Sequence, residues 1–241
     1  MNKIYSVVLV FILFFGCSDN KGLQFSEKGR AVPSFSADSA YQYIEKQVGY
    51  GPRVPNTFGH VKTRDYLERK LKEFAGNNAV FAQEFTGTGY SNDTLEMANI
   101  IAAFNLNAQD RIMLCAHWDT RPRADEDSDR TGEYIAGADD GGSGVGVLLE
   151  LARVFGENPP PIGVDIVLFD GEDYGVQGDL KKYFLGSRYW SQNPPVPGYK
   201  PRFGILLDMV GAERAVFPKE EYSMNYAPNL VEEVWRIGAE K

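Results

Sequence analysis

The sequence is poor in the residues that would mark several large functional classes. It holds two cysteines in 241 residues, Cys17 and Cys115, too few for the disulfide framework of a small secreted scaffold. Cys115 lies inside the apolar run Ile112-Met113-Leu114-Cys115-Ala116. There a free thiol behaves as a small buried hydrophobe, so neither a disulfide nor a nucleophilic thiolate is expected. Basic residues are outnumbered: 25 Lys and Arg against 33 Asp and Glu give a net charge of -8. That excludes the basic footprint of a nucleic-acid-binding protein. Tyr5 to Phe15 is an apolar run, but it is short for a membrane span. There are no internal repeats and no coiled-coil heptads. What remains is an ordinary globular composition on a chain long enough for one sizeable core.

Lys3 followed by the Tyr5–Phe15 run reads as the n- and h-regions of a secretory leader. Gly16-Cys17-Ser18 follows at once and resembles a bacterial lipobox, which would make Cys17 the lipidated N-terminus of the mature protein. The reading divides the chain into a lipoprotein signal peptide at residues 1–17, a tether at 18–34 and a single domain at 35–241. It places the protein in the cell envelope, periplasmic or membrane-anchored, touching the membrane only through its lipid.

Periodicity and turn residues predict the order of elements. Ser36 to Gln47 is a first helix behind a capping serine, Gly51 to Asn56 a loop, and Thr57 to Phe74 an amphipathic helix. His60, near the start of that helix, reads as a surface or capping residue. Val80 to Phe85, Met97 to Phe104 and Arg111 to Ala116 read as strands, beginning antiparallel because they follow one another so closely. A helix then runs through Phe155. Val164 to Phe169 is a buried strand, Leu180 to Trp190 a helix, Gly204 to Leu207 the next central strand, and Val231 to Ala239 a further helix. The expected fold is α/β: a three-layer sandwich with a mixed, mostly parallel central sheet and helices on both faces.

Chemistry gathers at the strand ends. His117 and Asp119 close one apolar strand and, two residues apart, point the same way, while Trp118 points into the core. Asp139 and Asp140 precede the glycine-rich start of a helix. Asp170-Gly171-Glu172-Asp173 ends a second strand and Asp208 a third. Ligands bind at such carboxyl ends in open α/β sheets. Clustered carboxylates repel one another and require a cation or protons to coexist, and these nitrogen and oxygen donors suit zinc. Other signals fade on inspection. Gly141 to Gly146 lacks the Gly-Lys-Ser/Thr of a phosphate loop. Asp125, Asp127 and Asp129 have Arg130 and Ala136 where a calcium loop needs Gly and Glu, so a solvated loop is expected.

The stretches A-H-W-D-T-R-P, G-A-D-D-G-G-S-G-V-G-V-L-L-E-L-A-R, L-F-D-G-E-D-Y-G, G-S-R-Y-W and Y-K-P-R-F-G-I-L-L-D-M-V-G-A resemble the zinc aminopeptidase-like superfamily of peptidase clan MH. Within it they most resemble the animal-type glutaminyl cyclases (glutaminyl-peptide cyclotransferases) that also occur in bacteria. The resemblance runs from about Val32 to the last residue. It implies Asp140 and Asp173 as zinc ligands, Glu172 as general acid/base and Asp208 as the residue that holds the substrate amide. His117 would stand beside the metal, or bind a second zinc in an aminopeptidase. Trp190 and Tyr134 are candidate pocket residues. Asp173 stands where the cyclases often carry Glu. The family also implies a cis Asp140–Gly141 peptide and a last histidine ligand downstream of L-D-M-V-G. Only His60 and His117 are present before Lys241, so the sequence is expected to be C-terminally incomplete.

The implied reaction is cyclisation of an N-terminal glutamine on a peptide or protein to pyroglutamate, with loss of ammonia, by a monomer carrying one Zn²⁺. The alternatives are a two-zinc aminopeptidase, with His117 and Asp208 on the second ion and Asp140 bridging, and a non-catalytic binding domain.

Overall fold

The computed structural model describes residues 32–176 and 178–240. The expected signal peptide, Cys17 and most of the tether lie outside the described residues. The described residues form two compact units, Val32–Ala215 and residues 216–240. The second contains helices α5 (Glu221–Tyr226), which the sequence pattern did not announce, and α6 (Pro228–Ala239).

In the larger unit α1 (Ala37–Gly49) begins where Ser36 Oγ accepts the amide of Ser39, and α2 (Phe58–Ala75) where Thr57 Oγ1 accepts that of His60. β1 (Val80–Thr88) and β2 (Thr94–Phe104) form an antiparallel hairpin, with Val80 opposite Ala102 and Thr88 opposite Thr94. β3 (Arg111–His117), α3 (Gly142–Glu157) and β4 (Gly163–Phe169) make a parallel crossover unit, with Arg111 beside Gly163 and His117 beside Phe169. α4 (Leu185–Gln192) and β5 (Gly204–Leu206) follow. The strand order is β1-β2-β4-β3-β5, a mixed sheet: the β1–β2 and β2–β4 pairs are antiparallel, the β3–β4 and β3–β5 pairs parallel.

Alternation along the strands sorts the core into two layers. Ile100, Ala102, Phe104, Leu114, Ala116, Ile166 and Leu168 face Leu67 and Leu71 of α2 and Leu148 and Leu149 of α3. Ile101, Cys115, Val167 and Phe169 face the other way, packed with Met113 of β3 and Trp190 of α4. Helices therefore cover both faces, as expected. Burial pushes the Cys115 thiol up to about 12, which leaves it inert. Leu148 is fully buried at the centre of the larger layer. Leu148→Ala should cost about 2–5 kcal/mol, read as a lower denaturant midpoint at unchanged slope.

Two elements differ from expectation. Leu180 to Trp190 is not one helix: a 3-10 turn, Leu180–Lys182, is separated from α4 by Phe184 at φ 60°. The cause is that the amides of Phe184, Leu185 and Gly186 donate to the carbonyls of Glu172, Gly171 and Asp170. Those donors serve the loop after β4, so α4 cannot begin earlier. β5, expected to be central, lies at the edge of the described sheet; it pairs for three residues with β3 and with no other strand among the described residues. No helix among the described residues is long and apolar enough to cross a membrane.

Candidate active site

β3, β4 and β5 run parallel, so their carboxyl ends share one edge of the sheet. The polar side chains named from the sequence converge on that edge. His117 closes β3 and is buried. Its Nε2 lies 2.9 Å from Asp140 Oδ1 and 3.5 Å from Asp208 Oδ1, and its Nδ1 lies 3.4 Å from Asp119 Oδ1. One donor atom from each of His117, Asp140 and Asp208 lies within 4.8 Å of the other two, a grouping able to hold a metal ion. Asp140 and Asp208 are partly open to solvent, while His117 forms the floor.

Asp119 is fully buried and ties the cluster to the loop after β4. Its Oδ1 accepts the amide of Glu172 at 3.0 Å and its Oδ2 that of Asp173 at 3.2 Å. Burial would raise its pKa, but His117 and these two amides outweigh that and hold it below the usual carboxylate range. The H-x-D spacing had placed Asp119 on the same side as His117; its work as an anchor depends on a loop some fifty residues on and was not legible.

Two glycines make the close approaches possible. A Cβ on Gly141 would meet the His117 carbonyl oxygen and imidazole ring, and one on Gly144 would meet the carbonyl oxygen of Leu207. α3 therefore starts against both β3 and the segment leading to Asp208. Asp139 is not part of that grouping: its Oδ1 accepts the Gly211 amide at 2.8 Å, and Ser143 Oγ accepts that of Val210 at 2.9 Å. These bonds fix the turn after Asp208. The cis Asp140–Gly141 bond expected from the family is not found: there is no cis peptide among the described residues. Gly141 takes ordinary helical angles (φ -63°, ψ -3°) and leads into α3, a geometry the far cheaper trans bond meets.

Electrostatics separate the groups. Burial alone would lower the His117 pKa, but its hydrogen bonds to Asp119, Asp140 and Asp208 raise it well above the ordinary value and favour the charged ring. His117 in turn holds Asp208 low and ionised. Glu172 is raised to about 7, by burial first and against the pull of His117, with Asp119, Asp208 and Asp173 adding to the rise. Burial and the charges of Asp119 and Asp140 raise Asp173 to about 7. Two neighbouring carboxyls thus exchange protons near neutrality, beside one that stays charged. Such separation marks functional sites.

Arg53 is the main group that motif reading missed. It is fully buried, and its guanidinium donates to three main-chain carbonyls: Trp118 at 2.9 Å, Ala136 at 2.8 Å and Gly137. Burial pulls it down to about 10 against the charges of Asp119 and Asp140. Lying in a Gly-Pro-Arg-Val-Pro loop, it carried no signal beyond the turn itself. His60 was expected at the surface, yet it is buried: it stacks on Trp118 with ring centroids 4.4 Å apart and pairs with Asp170 at 2.9 Å. A helix-start histidine looks exposed until its partner, far along the chain, is known. Trp190 is partly buried, edge-on to Phe169 and Tyr199, and Tyr134 is exposed. Asp125, Asp127 and Asp129 form the expected solvated loop: Asp125 pairs with Arg121, and Asp127 caps the amides of Asp129 and Arg130.

Comparison with known proteins places this edge in a wider group. The sequence profile described as Peptidase family M28 matches residues 99–240. The chain is 27% identical to a Drosophila melanogaster glutaminyl-peptide cyclotransferase over 173 residues, which covers 69% of this chain and 46% of that protein. The crystal structure of Tannerella forsythia glutaminyl cyclase superposes with a TM-score of 0.83 and 49% identity, covering 86% of this chain and 73% of that one. A structure from Bacteroides thetaiotaomicron described as a leucine aminopeptidase precursor superposes with a TM-score of 0.84 and 47% identity, over 87% and 74% of the two chains. The chain spans about half the length of the curated relatives it matches.

Proposed function

Because the chain belongs to Peptidase family M28 and is 49% identical to a solved glutaminyl cyclase over 86% of its length, we propose that it is a zinc-dependent glutaminyl-peptide cyclotransferase. It converts an N-terminal glutamine of a peptide or protein to pyroglutamate and releases ammonia. The observation that carries the reading is the Glu172 carboxyl, raised by burial to about 7 and held by its amide on Asp119, beside the His117–Asp140–Asp208 cluster.

The residues present fit the carboxylate ligands of zinc: Asp140 belongs to the grouping able to hold a metal ion, and the Asp173 carboxyl, raised by burial first and then by the charges of Asp119 and Asp140, would ionise fully against a cation. Asp140 and Asp173 would hold the ion. When bound, zinc supplies a Lewis acid for the γ-carboxamide oxygen. Glu172, raised to about 7, accepts a proton from the α-amine as its nitrogen attacks the γ-carboxamide carbon. It returns that proton to the departing nitrogen as the old C–N bond breaks, so ammonia leaves, the five-membered lactam closes and no water is consumed. Asp208, kept ionised by His117, accepts hydrogen bonds from the carboxamide NH₂ and holds the side chain for attack. Trp190, packed against Phe169, the residue of β4 that pairs with His117 of β3, offers an apolar wall, and Tyr134, exposed, is the second candidate for contact with the peptide. Lys3, the Tyr5–Phe15 run and Cys17 support delivery to the cell envelope on a lipid anchor.

The test is product analysis. The zinc-loaded, full-length protein is incubated with a peptide that begins with glutamine. Expected are one ammonia per peptide, a blocked N-terminus and no free amino acid. Release of free glutamine with a shortened peptide would show an aminopeptidase, and zinc binding without turnover a binding domain.

A further inference from the structure

We infer that His60 is a positioning residue for Glu172, acting through Asp170 and Trp118. It rests on the cyclase reading above and adds to it a residue outside the catalytic loops.

His60 stands in the first turn of α2, its amide held by Thr57 Oγ1. Its side chain meets both strand exits that build the site. On the β4 side, Nε2 donates to Asp170 Oδ2 at 2.9 Å, with Oδ1 at 3.1 Å. On the β3 side the ring lies flat on Trp118, with 21° between the planes. The two exits are also bound to one residue of β2: the Ala98 amide donates to Asp170 Oδ2 at 2.7 Å, and the Ala98 carbonyl accepts from Trp118 Nε1 at 3.1 Å. His60, Asp170, Ala98 and Trp118 thus form a closed ring of contacts in the interior.

Glu172 hangs from that ring at both ends. Asp170 connects to it covalently through Gly171, which turns the chain at φ +66°. Trp118 connects through Asp119, whose carboxylate takes the Glu172 and Asp173 amides. The main chain of Asp170 is fixed as well: its amide donates to Asn99 Oδ1 at 3.1 Å, and its carbonyl accepts the Gly186 amide at 2.8 Å. Asp170 is completely buried, and His60 is the side chain that pairs with it. Without His60 the Asp170 carboxyl loses its side-chain partner, and a buried group in that state relaxes its surroundings or protonates. Relaxation there passes directly to the two amides that aim Glu172.

The informative variant is His60→Phe, which keeps a ring on Trp118 and removes the donor to Asp170. Misplacement of an acid/base group by about 1 Å costs about 10²-fold. We therefore expect kcat for glutamine peptides to fall about 10²-fold with KM unchanged, and His60→Gln, which restores a donor, to recover most of the loss. In a Glu172→Gln background His60→Phe should cost nothing further, because the residue it positions is gone. Equal losses in both backgrounds, or an unchanged kcat in the single variant, would overturn the inference in favour of a purely structural histidine. An activity-independent readout separates this from failure of the cyclase reading. Amide hydrogen exchange at Glu172 and Asp173 should quicken in His60→Phe while that of Leu148 in α3 does not. Exchange that rises equally at all three sites would again contradict positioning, whatever the enzyme's substrate.

Discussion

Glu172→Gln lowers kcat on a glutamine-initiated peptide by about 10²- to 10⁴-fold and leaves the melting temperature unchanged or raised. Two facts set these opposite signs. Glu172 is held at about 7 chiefly because burial penalises its charged form, so folding gains nothing from that charge and the neutral amide removes a penalty. The same shift is what lets the group take and return a proton near neutral pH. Glutamine keeps the size and the main-chain bond to Asp119 but cannot exchange the proton. Steady-state kinetics and thermal melting of the variant together check both halves. A destabilised variant with near-normal kcat would mean that Glu172 is a structural carboxylate.

Arg53→Met should be the most damaging single change to stability, at about 3–5 kcal/mol by the scale of hydrogen bonds to charged groups. Three main-chain carbonyls, the buried ones of Trp118 and Gly137 and the more open one of Ala136, lose their donors at once. Loss of the desolvation cost of a buried guanidinium offsets part of this and keeps the figure below the sum of three such bonds. Arg53→Lys should rescue little, because one ammonium cannot reproduce a fork that serves carbonyls on two loops. The effect extends to the site: the Ala136–Gly137 loop leads to Asp140, and the Arg53 charge stands near Asp119 and Asp140. Metal affinity should fall with stability. Denaturant melts and metal titration of both variants provide the check.

The residues that could be read from sequence are those whose position follows from local periodicity. Alternation put His117 and Asp119 on one side of β3 and Trp118 on the other, and Trp118 is fully buried. Capping chemistry located the starts of α1 and α2 at Ser36 and Thr57. Apolar runs fixed β3 and β4, and with them the carboxyl groups at their ends. What could not be read are the partners of residues in unpatterned segments. Arg53 donates to carbonyls that lie more than sixty positions away, and His60 pairs with a carboxylate 110 positions on. Nothing within a window of one helix or strand distinguishes such residues from solvated ones. The break at Phe184 has the same origin, since the loop after β4 engages the amides that would have continued the helix. The helical pattern of Leu180 to Trp190 contains no trace of that competition.

The proposed division of roles at the sheet edge carries the whole account: Asp140 and Asp173 assigned to one ion, Glu172 to the proton and Asp208 to the substrate, with His117 beside them. The most direct measurement is an anomalous difference map at the zinc edge from crystals of the full-length protein. The account predicts one peak per chain, bound by Asp140 and Asp173, with His117 and Asp208 carrying no metal of their own. A second peak on His117 and Asp208, or a peak that Asp173 does not touch, would contradict it.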